Sequence, residues 1–192
     1  VLAQAQQVGA SRVPVGFGEV LVVILMDKVG AKDGGMSNVT LRGVTEDVFK
    51  FRTTAKIVEG REPKAGSDEV VIGSGIRGRF KGLEGGQSFE IKKNRVVKVV
   101  GVFDDGGSSF DSEVWTDIQT LKTAFGREGF VSSIRVRLDA SSKFDAFRAL
   151  VEQNRQLGLA VQREGDYFAK QSEMTADFLT IKGTMIAILF SI

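Results

Sequence analysis

A chain of 192 residues, 42% of them hydrophobic and 26% charged, has enough apolar mass for one large domain or two small ones and no disordered composition. Its net charge of +2 is spread among both signs, which excludes a global field drawing it to nucleic acid or an anionic bilayer. Cys and His are both absent, so disulfide frameworks, the usual zinc sites, Ser-His-Asp triads and Cys-His pairs are excluded.

Residues 1–8, "VLAQAQQV", read as the tail of a helix; they lack the charged start and cleavage site of a signal peptide. Residues 18–103 then have the texture of strands. "EVLVVILM", "SNVTLRGV", "EVVIG", "QSFEI" and "RVVKVVGVF" are β-branched runs punctuated by Gly, Asn and Asp, and "KKNR" between the last two predicts a hairpin. "GSGIRG", Gly73 to Gly78, follows the strand "EVVI" and spells G-x-G-x-x-G, the dinucleotide fingerprint. The context removes that meaning: a helix from about Ser74 to Phe80 is broken by "KGLEGG", and Lys92, Lys93 and Asn94 stand where an acid should hold a ribose. A short helix packed under the β-layer is expected instead, and no cofactor is expected. The G-x-x-x-x-G-K-[ST] pattern occurs nowhere, so any ATP-driven role requires another polypeptide or domain.

Basic residues gather nearby: Arg77, Arg79, Lys81, Lys92, Lys93, Arg95 and Lys98. Nucleic-acid binding would also need exposed aromatics for stacking, whereas Phe80 and Phe89 are expected to point inward, so the cations read as a solvated face.

The next stretch, "FDDGGSSFDSEVW", places Asp104, Asp105, Asp111 and Glu113 around two glycines. An EF-hand fails on register. From Asp104 the third, fifth and twelfth positions are Gly106, Ser108 and Trp115, and from Asp105 the twelfth is Thr116, so the bidentate Glu is missing. A hydrolytic carboxylate pair fails because nothing in the loop would separate the pKa values of Asp105 and Asp111. The reading adopted is a connector: Gly106 and Gly107 turn the chain, Phe110 tucks under it, Trp115 anchors the return, and the acids face solvent or cap backbone N–H groups. Catalytic, cofactor-binding and metal-binding residues are all expected to be none.

"TDIQTLKTAF" predicts a short helix with Ile118, Leu121, Ala124 and Phe125 inward and Thr116 or Asp117 as its cap. "SSIRVRL", "SSKFDAFRALVEQNRQ" and "LGLAVQRE" read as strand, helix and strand, a βαβ unit with parallel strands. Its helix carries an apolar stripe of Phe144, Phe147, Leu150 and Val151, with Ser141 or Ser142 capping it. "GDYFAKQSEMTADFLTIK" then reads as a continuous helix into "GTMIAILFSI", read as the first part of a membrane segment with Lys182 near the interface, the alternative being a buried C-terminal helix.

The succession "NVTLRGV", "IVEGREPKAGSDEVVIGSGIRGRFKGLEGGQSFEI", "VVKVVGVFDDGGSSFDSEVWTDIQTLKTAF", then a βαβ unit and a helix entering an apolar run, resembles the extracytoplasmic core domain of MacB/FtsX-type ABC transporter permeases. The resemblance covers about residues 38–192 and lies in the order of segments; residues 1–33 depart from a clear family pattern.

It implies an α+β fold with a stalk-linked βαβ subdomain, residues 1–28 and 130–165, and an inserted β-rich subdomain, residues 29–129. Residues 166–192 would be a stalk helix entering a transmembrane segment. The implied function is that of the periplasmic or extracytoplasmic domain of a cell-membrane permease subunit, passing ATP-driven motion across the membrane for export or release of a substrate. Its implied partners are a cytoplasmic ABC ATPase, separate or fused, and a second permease subunit. In some members a periplasmic adaptor or other envelope protein joins them. No catalytic residue is implied. The alternative is a soluble or membrane-anchored ligand-binding or sensor domain without transport.

Overall fold

The computed structural model describes residues 1–11, 15–31 and 35–173. The expected membrane segment at residues 183–192 lies outside them, and among the described residues no helix is long and apolar enough to cross a membrane.

Two compact units divide the chain: Leu2 with Gln4–Asp139, and Val1 and Ala3 with Ala140–Ile192. After α1 (Leu2–Gln7), the larger unit is built on eight strands: β1 (Gly16–Asp27), β2 (Met36–Val44), β3 (Lys56–Gly60), β4 (Glu69–Gly73), β5 (Ser88–Lys92), β6 (Arg95–Asp104), β7 (Glu113–Asp117) and β8 (Ser133–Val136). They form one mixed sheet in the order β3-β6-β4-β7-β2-β1-β8, with β5 on β6. β2–β7 and β4–β6 pair in parallel and the others antiparallel. The hairpin expected at "KKNR" forms between β5 and β6 and turns at Asn94, which takes a left-handed φ of 63°.

Strand alternation sorts the side chains onto two faces. One face gathers Val20, Val22, Val39, Leu41, Val70, Ile72, Val97 and Val114 into the core. α3 (Ile118–Phe125) closes it with Ile118 and Leu121. Asp117 caps this helix by accepting from the N–H groups of Gln119 and Thr120 at 2.9 and 3.0 Å, and Gly126 ends it in the left-handed conformation. Phe80 and Phe89 are buried in the same core, pointing inward as expected. The opposite face carries an aromatic cluster. Trp115 stacks on Phe103 at 4.2 Å, and Phe49, from the single-turn α2 (Val48–Phe51), lies 5.6 Å from it.

The second unit departs from the expected βαβ arrangement. α4 (Phe144–Glu152) forms and buries Phe147 and Val151. A 3-10 turn at Ser141–Lys143 moves the helix start past the serines, so neither caps it, and Leu150, off the buried stripe, is exposed. The second strand, in "LGLAVQRE", does not form: residues 158–163 have no regular structure. Side chains take over the role of a strand ladder there. Glu152 accepts from the N–H of Val161 at 2.9 Å while Arg148 holds the carboxylate, and the Arg163 guanidinium lies 4.1 Å over the Phe144 ring. With β8 antiparallel to β1, its expected parallel partner is absent from the described residues. A helix resumes at residues 164–173.

Candidate functional site

The two segments that looked most like sites in the sequence meet at one structural junction. β6 ends at Asp104, and Gly106 and Gly107, with φ of 68° and 82°, reverse the chain into a 3-10 turn at Ser109–Ser112 before β7. Asp111 secures the reversal: its Oδ1 accepts from the N–H of Asp105 at 2.6 Å and its Oδ2 from the N–H of Gly107 at 2.7 Å. Asp104 accepts from the N–H of Gly106 at 2.9 Å and from the hydroxyl of Ser74 at 2.7 Å, and these bonds, Ser74 foremost, hold its carboxyl below its ordinary value. Asp105 accepts from Ser108 Oγ at 2.6 Å.

Ser74 belongs to "GSGIRG". The expected helix after Gly73 shortens to a 3-10 turn at Ser74–Ile76. A Cβ on Gly73 would run into the backbone carbonyl of Asp111, and one on Gly75 would lie 3.0 Å from the same oxygen. The first two glycines of the fingerprint therefore admit a neighbouring loop rather than a pyrophosphate. Gly78, at φ 67°, makes a turn. Among the described residues no group of carboxylates is arranged to hold a metal ion. As expected, acids of the loop cap N–H groups and Phe110 tucks beneath, 5.8 Å from Trp115.

Glu113 has a different role, which its neighbours in sequence do not disclose. Its carboxylate takes a two-pronged contact from Arg42, Nε to Oε2 at 2.6 Å and Nη2 to Oε1 at 2.7 Å, and accepts from the Trp115 indole N–H at 3.0 Å. The remaining prong of Arg42, Nη1, donates to Glu19 Oε2 at 2.7 Å. Arg135 Nε and Ser133 Oγ on β8 donate to that same oxygen, each at 3.0 Å. Glu19 and Arg42 are 1% and 3% exposed, so this row of charges crosses β8, β1, β2 and β7 inside the protein. Burial alone would push the Arg42 pKa down; the bonds and charges of Glu113 and Glu19 outweigh it, and the net displacement is upward. The network satisfies its members and presents no free group for chemistry.

Part of the predicted basic face is neutralised locally. Arg77 pairs with Glu59 and Glu84, Lys81 with Asp27, and Arg95 with Asp68, while Lys92 donates to the carbonyl of Ala124. In "EGREP" and the strand after it, Arg61 clasps Glu69 through two bonds of 2.6 and 2.5 Å, and the N–H of Lys64 adds a third at 3.1 Å. The Arg61 fork, opposed by burial and aided by Lys64, holds Glu69 down to about 2. Beside this clasp lies a shallow cleft between Val48, Phe49, Pro63 and Trp115, with Glu46, Glu62 and Asp117 among its lining residues.

Residues 2–154 match the family of the MacB-like periplasmic core domain. The chain belongs to that family. The MacB-like domain resembles the extracellular domain of the noncanonic ABC-type transporter YknZ from Gram-positive bacteria, with a TM-score of 0.55 and 17% identity over 80% of this chain and 83% of that one. It also resembles a domain of a protein described as a permease from Porphyromonas gingivalis, with a TM-score of 0.49 and 14% identity over 80% and 68% of the two chains. No curated protein sequence matches it. The α+β fold and the family resemblance read from the order of segments are thus both found in the MacB-like domain.

Proposed function

We propose that this MacB-like domain is the extracytoplasmic part of an ABC transporter permease subunit and passes ATP-driven motion from the membrane to whatever is exported or released outside. The observation that carries the reading is the family match over residues 2–154. In this reading residues 29–129 are the β-rich insert, and residues 1–28 and 130–165 the part nearer the membrane. The pairing of Gly16–Glu19 with Ser133–Val136, which joins the chain on either side of the insert, supports it. A cytoplasmic ATPase supplies the energy, a second permease subunit completes the assembly, and the domain contributes no catalytic residue.

The helix at residues 164–173 is the lever, leading toward the apolar run at residues 183–192. A proline inside a helix removes a backbone hydrogen bond and costs about 3 kcal/mol. In the full-length protein reconstituted with its ATPase, Ser172→Pro is expected to leave ATP hydrolysis in place. It should abolish the nucleotide-dependent change in hydrogen exchange within the sheet. Failure of any ABC ATPase to associate with the full-length protein, or unchanged coupling in the proline variant, overturns the reading.

A further inference from the structure

β8 is fastened differently from every strand inboard of it. It lies at the end of the sheet, pairs with β1 over only four residues, Gly16–Glu19 against Ser133–Val136, and none of its own residues is fully buried. β7, by contrast, has four consecutive buried residues, Glu113 to Thr116. Polar and charged bonds supplement the short ladder at β8. Ser133 Oγ and Arg135 Nε converge on Glu19 Oε2, the N–H of Ser132 donates to the Glu19 carbonyl at 2.7 Å, and the N–H of Leu21 donates to Ser132 Oγ at 2.9 Å. Just beyond the strand Arg137 donates to the carbonyl of Phe51 and stacks on its ring at 4.6 Å, and Asp139 accepts from the N–H and hydroxyl of Ser11 at 3.1 and 2.8 Å. The seat for the strand is a pair of bare backbones: a Cβ on Gly16 would drive into the carbonyl of Arg135, and one on Gly18 would lie 2.8 Å from Val131 Cγ1.

Water entering as β8 leaves replaces these bonds, at a larger cost for those to the Glu19 carboxylate than for the neutral ones, whereas separating packed apolar strands exposes area that water disfavours. Glu19 would keep its bond to Arg42 if β8 left, so the rest of the charge row has no need to break.

We propose that β8 is a releasable strap, with Glu19 Oε2 as its pin and Ser133 and Arg135 as its tether. It undocks from β1 while the remaining seven strands stay folded. Because the chain passes from Asp139 into the second unit at Ala140, tension arriving from that unit along the chain meets the bonds of Asp139 and Arg137 and then this strand, ahead of the strands inboard of it. The inference deepens the permease reading by naming the element through which motion enters the sheet, and its use in transport rests on that reading.

Hydrogen–deuterium exchange in the full-length protein tests it, first at rest. The amides of residues 133–137 are expected to exchange at least about tenfold faster than those of β2 and β7, and the double variant Ser133→Ala/Arg135→Met, which leaves Glu19, Arg42 and Glu113 intact, to quicken them about tenfold more without moving β2 or β7. Gly16→Ala, which wedges the seat without touching a charge, is expected to have the same local effect. Equal protection of β8 and β7 in the wild type overturns the strap, and so does a uniform rise across the sheet in the variants, whatever becomes of the permease reading. The second arm adds ATP to the reconstituted transporter. A nucleotide-dependent rise confined to residues 133–137 supports the strap's role in transport, and no change there while exchange elsewhere in the domain responds to ATP overturns that role. If no ATPase associates, the permease reading fails and the resting comparison still decides whether the strap exists.

Discussion

Arg42 shows what a residue's own neighbourhood in sequence conceals. In "VTLRGV" it sits in a strand like any surface arginine, yet all three nitrogens of its guanidinium are engaged inside the protein with Glu19 and Glu113, 23 and 71 residues away. Removing it would leave two carboxylates buried without their cation, a situation that costs about 3–5 kcal/mol. Arg42→Met is therefore expected to lower the unfolding free energy by about that amount in urea titrations followed by circular dichroism. A loss under about 1 kcal/mol would mean that water reaches these carboxylates. Asp117 was legible for the opposite reason: a cap acts on the N–H groups two and three residues ahead, so its partners lie within the same short window of sequence.

At the scale of elements, strands and helices with local signals were readable, and those whose form depends on distant contacts were not. α3 carries its apolar spacing, its cap and its terminal glycine together, and the β5–β6 hairpin carries its turn residues. "LGLAVQRE" has the β-branched and apolar content of a strand, but Glu152 takes up its Val161 N–H, and Gly158 enters at a φ of 58°. The fingerprint glycines are intermediate: their context excluded a cofactor, while the loop that lies against Gly73 comes from 38 positions later and could be seen only in the fold.

The clasp at the start of β4 makes a prediction at this scale. Glu69 has an ordinary pKa of about 4.5 and is held at about 2 in the folded protein, so it binds a proton more readily once unfolded. Its contribution is present in full above about pH 4.5 and disappears as pH falls toward 2. Because Arg61 is half exposed, solvent screening reduces the effect to about 1 kcal/mol. Glu69→Gln should accordingly lower the melting temperature at about pH 6 and converge with the wild type near pH 2. Parallel curves across that range would show that the clasp does not govern the acid limb.

For the whole molecule, the division at Asp139–Ala140 separates a unit that holds the entire sheet and its apolar core from one built on helices. A chain ending at Asp139 is expected to retain a single cooperative urea transition with its midpoint within about 1 M of that of the complete chain, since the buried area that drives folding of the sheet lies before that point. A broad or absent transition would make the sheet dependent on the helical unit. The family was legible at this scale because it resides in the order of many segments, none of which is diagnostic alone. The charge row, which no motif announces, is a polar feature that joins four strands inside the sheet.

The placement of two aromatic residues has a practical consequence. The chain contains one tryptophan and one tyrosine. Trp115 is fully buried in the sheet unit, its indole N–H bonded to Glu113, whereas Tyr167 is 40% exposed in the helical unit. Excitation at wavelengths that only indole absorbs therefore interrogates the sheet unit and the Glu113 end of its charge row, with no signal from Tyr167. The sheet unit can thus be observed by its own native chromophore, without attaching a label.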